Sequence, residues 1–190
     1  MKLDHVYTSA GLVAKYVVRK YPGVRKVFAI GEKTLRESLE AEGIEVVGAD
    51  QHIFPPESPM TMWQFESYQV DPDIGAVVYG LDFSFTISKL MLASLYLQEL
   101  KVPLIVTNDD RGTMVKGRLY PGAGSALASI TTACKLRKGS KLDSTSIEEP
   151  GTFDLIGKPN PFAVNLVKEE HNLPAQSKSL MVGDRPNTDI

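Results

Sequence analysis

Lys178-Ser-Leu-Met-Val-Gly-Asp-Arg-Pro-Asn-Thr-Asp-Ile190 is the stretch whose reading decides the fold. Leu180, Met181 and Val182 form a short apolar run that reads as a buried strand. It stops at Gly183-Asp184, and a second carboxylate, Asp189, follows five residues later. In open α/β sheets ligands bind beyond the carboxyl ends of the strands, which puts Asp184 where chemistry is done. Gly183 permits a sharp turn and leaves room beside the carboxylate. Two carboxylates on one short loop suit a hard cation such as Mg2+, which takes oxygen ligands and keeps several waters. A lone G-D-x4-D is also the composition of a surface turn, so its meaning depends on what lies upstream.

Upstream, Leu155-Ile156-Gly157-Lys158-Pro159 is another apolar run ending in Gly, then Lys, then Pro. Pro159 and Pro161 suit the first turn of a following helix. Lys158 then projects from a strand end toward the same edge as Asp184. A lysine beside a carboxylate-bound cation supplies the positive charge that offsets phosphoryl oxygens. The pairing of G-K-P with a later G-D-x4-D resembles motifs III and IV of the haloacid dehalogenase (HAD) superfamily of phosphatases. Within it, the chain is most similar to the 4-nitrophenyl phosphatase and phosphoglycolate phosphatase group, which carries a C2-type α/β cap. Supporting segments follow in the family's order: Thr8-Ser9-Ala10, Val27–Gly31, Leu35–Leu39, Gly43–Gly48, Ala76–Asp82, Thr107–Asp110 and Pro121–Gly124.

Composition bounds the alternatives. The chain has 190 residues, 43% hydrophobic and 23% charged, enough for one sizeable or two small domains. A formal net charge of -2 argues against non-specific binding to nucleic acid or to a membrane surface. The single cysteine, Cys134, allows no disulfide within the chain and fits a reducing compartment. No apolar run approaches the ~20 residues that cross a bilayer, and Met1-Lys-Leu-Asp-His5 has no signal-peptide core. A soluble, cytoplasmic protein is expected.

Along the chain, Thr8 and Ser9 can cap a helix through Leu12, Val13, Tyr16 and Val17, and Pro22-Gly23 stops it. Val24–Ile30 reads as a strand, Leu35 and Leu39 mark a helix ending at Gly43, and Ile44–Val47 reads as a second strand. This strand–helix–strand order implies a parallel sheet. Residues 50–72 read as a long, partly ordered connection. Strand 76–79, helix 86–100 and strand 102–106 follow, then a polar loop over 108–118. Gly122-Ala123-Gly124 opens a helix and superficially suggests a dinucleotide fingerprint. It lacks the third glycine and a buried strand directly before it. Residues 135–150 read as an inserted flexible loop. Strand 153–156, helix 161–171 and strand 179–182 complete the chain.

The resemblance implies a HAD-like α/β fold, with 1–23 as a hinge or core helix, 24–116 as a C2-type cap and 117–190 as a partial Rossmannoid core. It implies Mg2+-dependent hydrolysis of small phosphomonoesters through an aspartyl-phosphate. Asp184 would be a metal ligand, Asp189 would order Lys158 or a metal-bound water, and Lys158 would neutralise phosphoryl charge. Arg111 and Thr113, on the loop that reaches the site in this family, would contact substrate. Thr113 sits near the place where pyridoxal-phosphate phosphatases carry a histidine, which argues against that specialism. The partners expected are a small phosphorylated metabolite and a second copy joined through the cap.

HAD phosphatases begin with a D-x-D-G-T strand, whose first Asp is the nucleophile and whose second is the general acid/base. That motif is absent where the family would have it, so the chain looks truncated and, alone, is expected to be inactive. Asp71-Pro-Asp73 has the spacing but reads as a turn. Asp82-Phe-Ser84-Phe-Thr86 follows an apolar strand and could pose as the motif in a small uncapped domain, though Ser84 cannot replace the carboxylate acid/base. A non-catalytic cap or pseudo-phosphatase fragment acting in dimerisation or ligand binding is the competing reading.

Overall fold

The computed structural model describes residues 5–138, 151–174 and 176–183. Helix α1 (Ser9–Lys20) begins where Thr8 accepts a hydrogen bond from the Gly11 backbone at 3.1 Å, as its cap position requires. Ala10, Val13, Ala14 and Val17 are buried along one stripe of it. Strand β1 (Lys26–Ile30), helix α2 (Lys33–Ala41) and strand β2 (Glu45–Gly48) form the expected parallel unit. Gly43 ends α2 with φ of +78°, a conformation that costs glycine little. The connection that follows contains helix α3 (Met62–Ser67), closed by a reciprocal capping box between Thr61 and Gln64.

Strand β3 (Ile74–Tyr79) leads to helix α4 (Ile87–Leu95), capped by Thr86, which continues as one π-helical turn over Tyr96–Leu100. Strand β4 (Leu104–Val106) ends the second crossover. Two short antiparallel strands, β5 (Gly112–Val115) and β6 (Arg118–Pro121), precede helix α5 (Ala123–Ala133). Strands β7 (Leu136–Lys138) and β8 (Gly151–Leu155) and helix α6 (Phe162–Glu170) follow.

Six strands pair in the order β2-β1-β3-β4-β8-β7, and every pair is parallel. Alternation along the strands divides the interior into two layers. Phe28, Ile30, Val77, Tyr79, Leu104, Val106, Phe153 and Leu155 share a core with Leu92 and Tyr96 and with Leu127 and Ile130 of α5. Val27, Ala29, Ala76, Val78, Ile105 and Ile156 share the other with Val13 and Val17 of α1 and Leu35 and Leu39 of α2. Each of these larger side chains contributes about 1.5–3 kcal/mol when fully buried. The fold is therefore the expected α/β sandwich with a parallel central sheet. The sheet takes strands from both sides of position 116, since β4 pairs directly with β8.

Three expectations change. Residues 108–118 are not only a polar loop, because the β5–β6 hairpin begins inside them. Lys116 and Gly117 both have positive φ, at 48° and 77°, which gives the tight turn a hairpin twist demands. Residues 136–138 form an edge strand, and 139–150 of the expected 135–150 insertion lie outside the described residues. Finally, 179–182 is not a strand. Leu180 and Val182 are 90% and 83% exposed. An apolar triplet becomes a buried strand only against a partner, and no described strand lies beside it.

Candidate phosphate-handling edge

A parallel sheet gathers the carboxyl ends of its strands on one edge, and here that edge collects Gly31-Glu32, Asp50, Gly80–Asp82, Thr107–Asp110 and Gly157-Lys158. Glycine is needed where backbones approach. At Gly157 an added Cβ would meet the Thr107 carbonyl oxygen and the Asn108 side chain. The loop that carries Lys158 therefore lies against the loop after β4. That second loop is internally bonded: Thr107 Oγ1 donates to Asn108 Oδ1 at 2.9 Å, and Asn108 Nδ2 donates to Asp110 Oδ2 at 2.9 Å. These bonds shape the loop, the role expected of Asn and Asp in such positions.

Pro121-Gly-Ala-Gly124 meets the same loop from the other side. Gly124 N donates to Asp110 O at 2.8 Å and Gly122 N donates to Arg111 O at 3.0 Å. A Cβ on either glycine would strike the backbone of Asp109 or Asp110. The two glycines thus seat the start of α5 on the β4 loop, which accounts for the partial resemblance to a dinucleotide fingerprint. Ala123 O accepts a 2.5 Å hydrogen bond from the buried Tyr79 hydroxyl. Burial, reinforced by the charge of Asp82, pushes the Tyr79 phenol well above its ordinary pKa, so it stays protonated and donates.

Asp82 does not stand as a nucleophile would. Its Oδ2 accepts from Lys89 Nζ at 2.6 Å, its Oδ1 accepts from Ser84 N at 2.8 Å, and Lys89 also donates to Ala49 O at 3.0 Å. The two charged side chains are 1% and 6% exposed. This is a buried structural pair that ties the end of β3 to α4 and to the chain after β2.

Lys158 is exposed at the end of β8, and the peptide joining it to Pro159 is cis. Its loop is closed at the neck by Asn160, whose Nδ2 donates to Leu155 O at 2.6 Å while its Oδ1 accepts from Phe162 N at 2.9 Å. Arg111 and Thr113 are exposed at the base of the hairpin, which rises from the same edge. Asp184 and Asp189 lie outside the described residues. The structure therefore brings the Lys158 loop to the loop that leads into Arg111 and Thr113. Among the described residues no group of three His, Cys, Asp or Glu side chains could hold a metal ion.

Sequence reading missed a polar cluster beneath Lys158. Asp154, in β8, faces the α1 layer and is buried. Its Oδ2 accepts from Tyr16 Oη at 3.0 Å, Tyr21 Oη at 2.7 Å and Lys20 Nζ at 2.9 Å. Burial, then the hydrogen bond to Asp154, pushes the Tyr21 phenol up to about 12. Burial opposes the charge on Lys20, but its bonds to Tyr16 and Asp154 outweigh that and raise its pKa. The one signal available was a lone Asp inside an otherwise apolar strand.

The HAD-hydrolase-like family matches residues 155–190. Glycerol-3-phosphate phosphatase of Rattus norvegicus is 30% identical over 188 residues, covering 97% of this chain and 53% of that protein. The 4-nitrophenylphosphatase of Schizosaccharomyces pombe is 29% identical, covering 100% of this chain and 58% of that protein. The chain thus spans about half the length of the curated relatives it matches. A solved glycerol phosphate phosphatase from Mycobacterium tuberculosis, in complex with magnesium, superposes with a TM-score of 0.69 at 24% identity, over 98% of this chain and 45% of its own.

Proposed function

We propose that this chain, a relative of the haloacid dehalogenase-like phosphatases in sequence and in fold, belongs to a phosphomonoester hydrolase acting on small phosphorylated metabolites. One observation carries the reading: Lys158 sits at the carboxyl edge of a parallel sheet, against the loop that leads into Arg111 and Thr113. Lys158 offsets the charge of the phosphoryl group, and such positioning and electrostatic work is most of phosphoryl-transfer catalysis. Arg111 and Thr113 meet the organic part of the ester from the hairpin; Arg111 suits a carboxylate such as that of phosphoglycolate. Asp184 would hold Mg2+, and Asp189 would order Lys158 or a metal-bound water. The bound ion would screen phosphoryl charge and orient the ester. The nucleophile, an aspartate that becomes phosphorylated, belongs to a D-x-D-G-T strand that these 190 residues do not contain. A cytoplasmic homodimer paired through the cap completes the proposal. The relatives' names favour this enzyme over a non-catalytic fragment, and glycerol phosphate and aryl phosphates are the first substrates to try.

The test is release of phosphate from glycerol-3-phosphate, phosphoglycolate and 4-nitrophenyl phosphate by the full-length protein, with and without Mg2+. Lys158→Ala and Asp184→Asn are each expected to lower kcat/KM by about 10²- to 10³-fold. Turnover that survives both substitutions, or that is indifferent to chelation of Mg2+, would overturn the assignment.

A further inference from the structure

Tyr16 touches both ends of the segment that carries Lys158. On the entering side its hydroxyl donates to Asp154 at 3.0 Å. On the leaving side its ring meets Phe162 edge to face, with centroids 5.0 Å apart and planes at 89°. Between those ends, Asn160 bonds back to Leu155 O and forward to Phe162 N. The contacts close a ring: Tyr16 to Asp154, along β8 to Leu155, across Asn160 to Phe162, and back to Tyr16. Ile156, Gly157, Lys158 and Pro159 are the residues this ring encloses. Lys20 braces it from α1, donating to Tyr16 Oη at 2.7 Å and to both oxygens of Asp154. The phenol's own pKa is raised, by burial first, so at neutral pH the hydroxyl stays a proton donor to the carboxylate.

We infer that Tyr16, with Asp154 and Asn160, is a positioning residue that fixes the Lys158 loop against the phosphate. This rests on the reading of Lys158 given above. An exposed lysine has a long, flexible stem, and its value to a phosphoryl group depends on where its loop holds the Cα. Two neighbouring features argue against a purely packing role. A carboxylate in a strand layer that is otherwise apolar costs free energy unless paired, and an apolar residue would fill that place more simply. Asn160 also spends both ends of its amide on the backbone of this one loop.

The experiment is titration of the full-length protein with inorganic phosphate in the presence of Mg2+, comparing Tyr16→Leu, Tyr16→Phe and Asn160→Ala, each made alone and combined with Lys158→Ala. Folding of every variant is checked by circular dichroism. Tyr16→Leu and Asn160→Ala are expected to weaken phosphate binding about five- to tenfold, and Tyr16→Phe, which keeps the ring contact, by about twofold. In the Lys158→Ala background none of the three is expected to weaken it further. Equal losses in both backgrounds, or unchanged binding by folded Tyr16→Leu and Asn160→Ala, would overturn the inference and leave the role of Lys158 standing. If Lys158→Ala itself changes nothing, or the wild-type protein binds no phosphate, the reading of Lys158 fails and the inference falls with it.

Discussion

Asp82, in the loop after β3, and Asp154, within β8, are both buried carboxylates, and the protein neutralises them in opposite ways. Asp82 has one cation, Lys89, seven residues along the chain and itself enclosed. Asp154 shares Lys20, which is 39% exposed, with two phenols, all more than 130 residues away in sequence. The first pair is a local staple formed within one strand–helix connection. The second joins α1 and the chain just after it to β8, and it leaves its cation a route to water. The difference predicts how each responds when one partner is removed.

The largest effect is expected at Lys89. Lys89→Ala leaves Asp82 buried without a counter-charge and is expected to cost about 3–5 kcal/mol in urea unfolding. The double change Asp82→Asn with Lys89→Met is expected to recover most of that loss. A cost below that of any Asp154 variant would break the comparison. Lys20→Ala should do much less, about 1 kcal/mol, because Tyr16 and Tyr21 still donate to Asp154 and water can reach the vacated place. A loss as large as that of Lys89→Ala would show the second cluster to be as closed as the first.

The smallest effect appears only in alkali. Tyr21 ionises near pH 10.0 in an ordinary environment and near 12 here. Its folded-state pKa is raised, so the stabilisation is fully present below pH 10 and is lost as pH rises toward 12. Lys20 is shifted in the same direction and adds to the same loss. Urea midpoints measured across that window are expected to fall more steeply for the wild-type protein than for Tyr21→Phe. Parallel slopes would detach Tyr21 from Asp154.

What was legible in the sequence follows the same division between local and distant. β1, β3 and β4 are short apolar runs bounded by Gly, Pro or polar residues, and α1 announces itself by Thr8 and an apolar stripe. All of that is local. The family resemblance rested on Gly157-Lys158 and Gly183-Asp184, where the spacing of a few residues carries the information. The hairpin was missed because Met114, Val115, Leu119 and Tyr120 are exposed, leaving no polar face to mark the alternation. Leu180–Val182 misled for the converse reason, since apolarity shows what a segment could pair with and not whether the partner is present. The Asp154 cluster was invisible because nothing near position 154 says that Tyr16 lies beside it.

The strand order also sets a timetable for synthesis. Of the sheet's six described strands β8 is made last, yet it sits inside the sheet, between β4 and the earlier β7. As the chain leaves the ribosome, β1, β2, β3 and β4 can assemble in sequence, but the free edge of β4 waits for residues 151–155, and β7 waits with it. Until then the nascent protein shows an unpaired, apolar parallel edge, the kind of surface that recruits a second chain or a chaperone. Crowded, rapid expression should therefore punish this protein at the step when β8 arrives, whatever the final stability of the sheet.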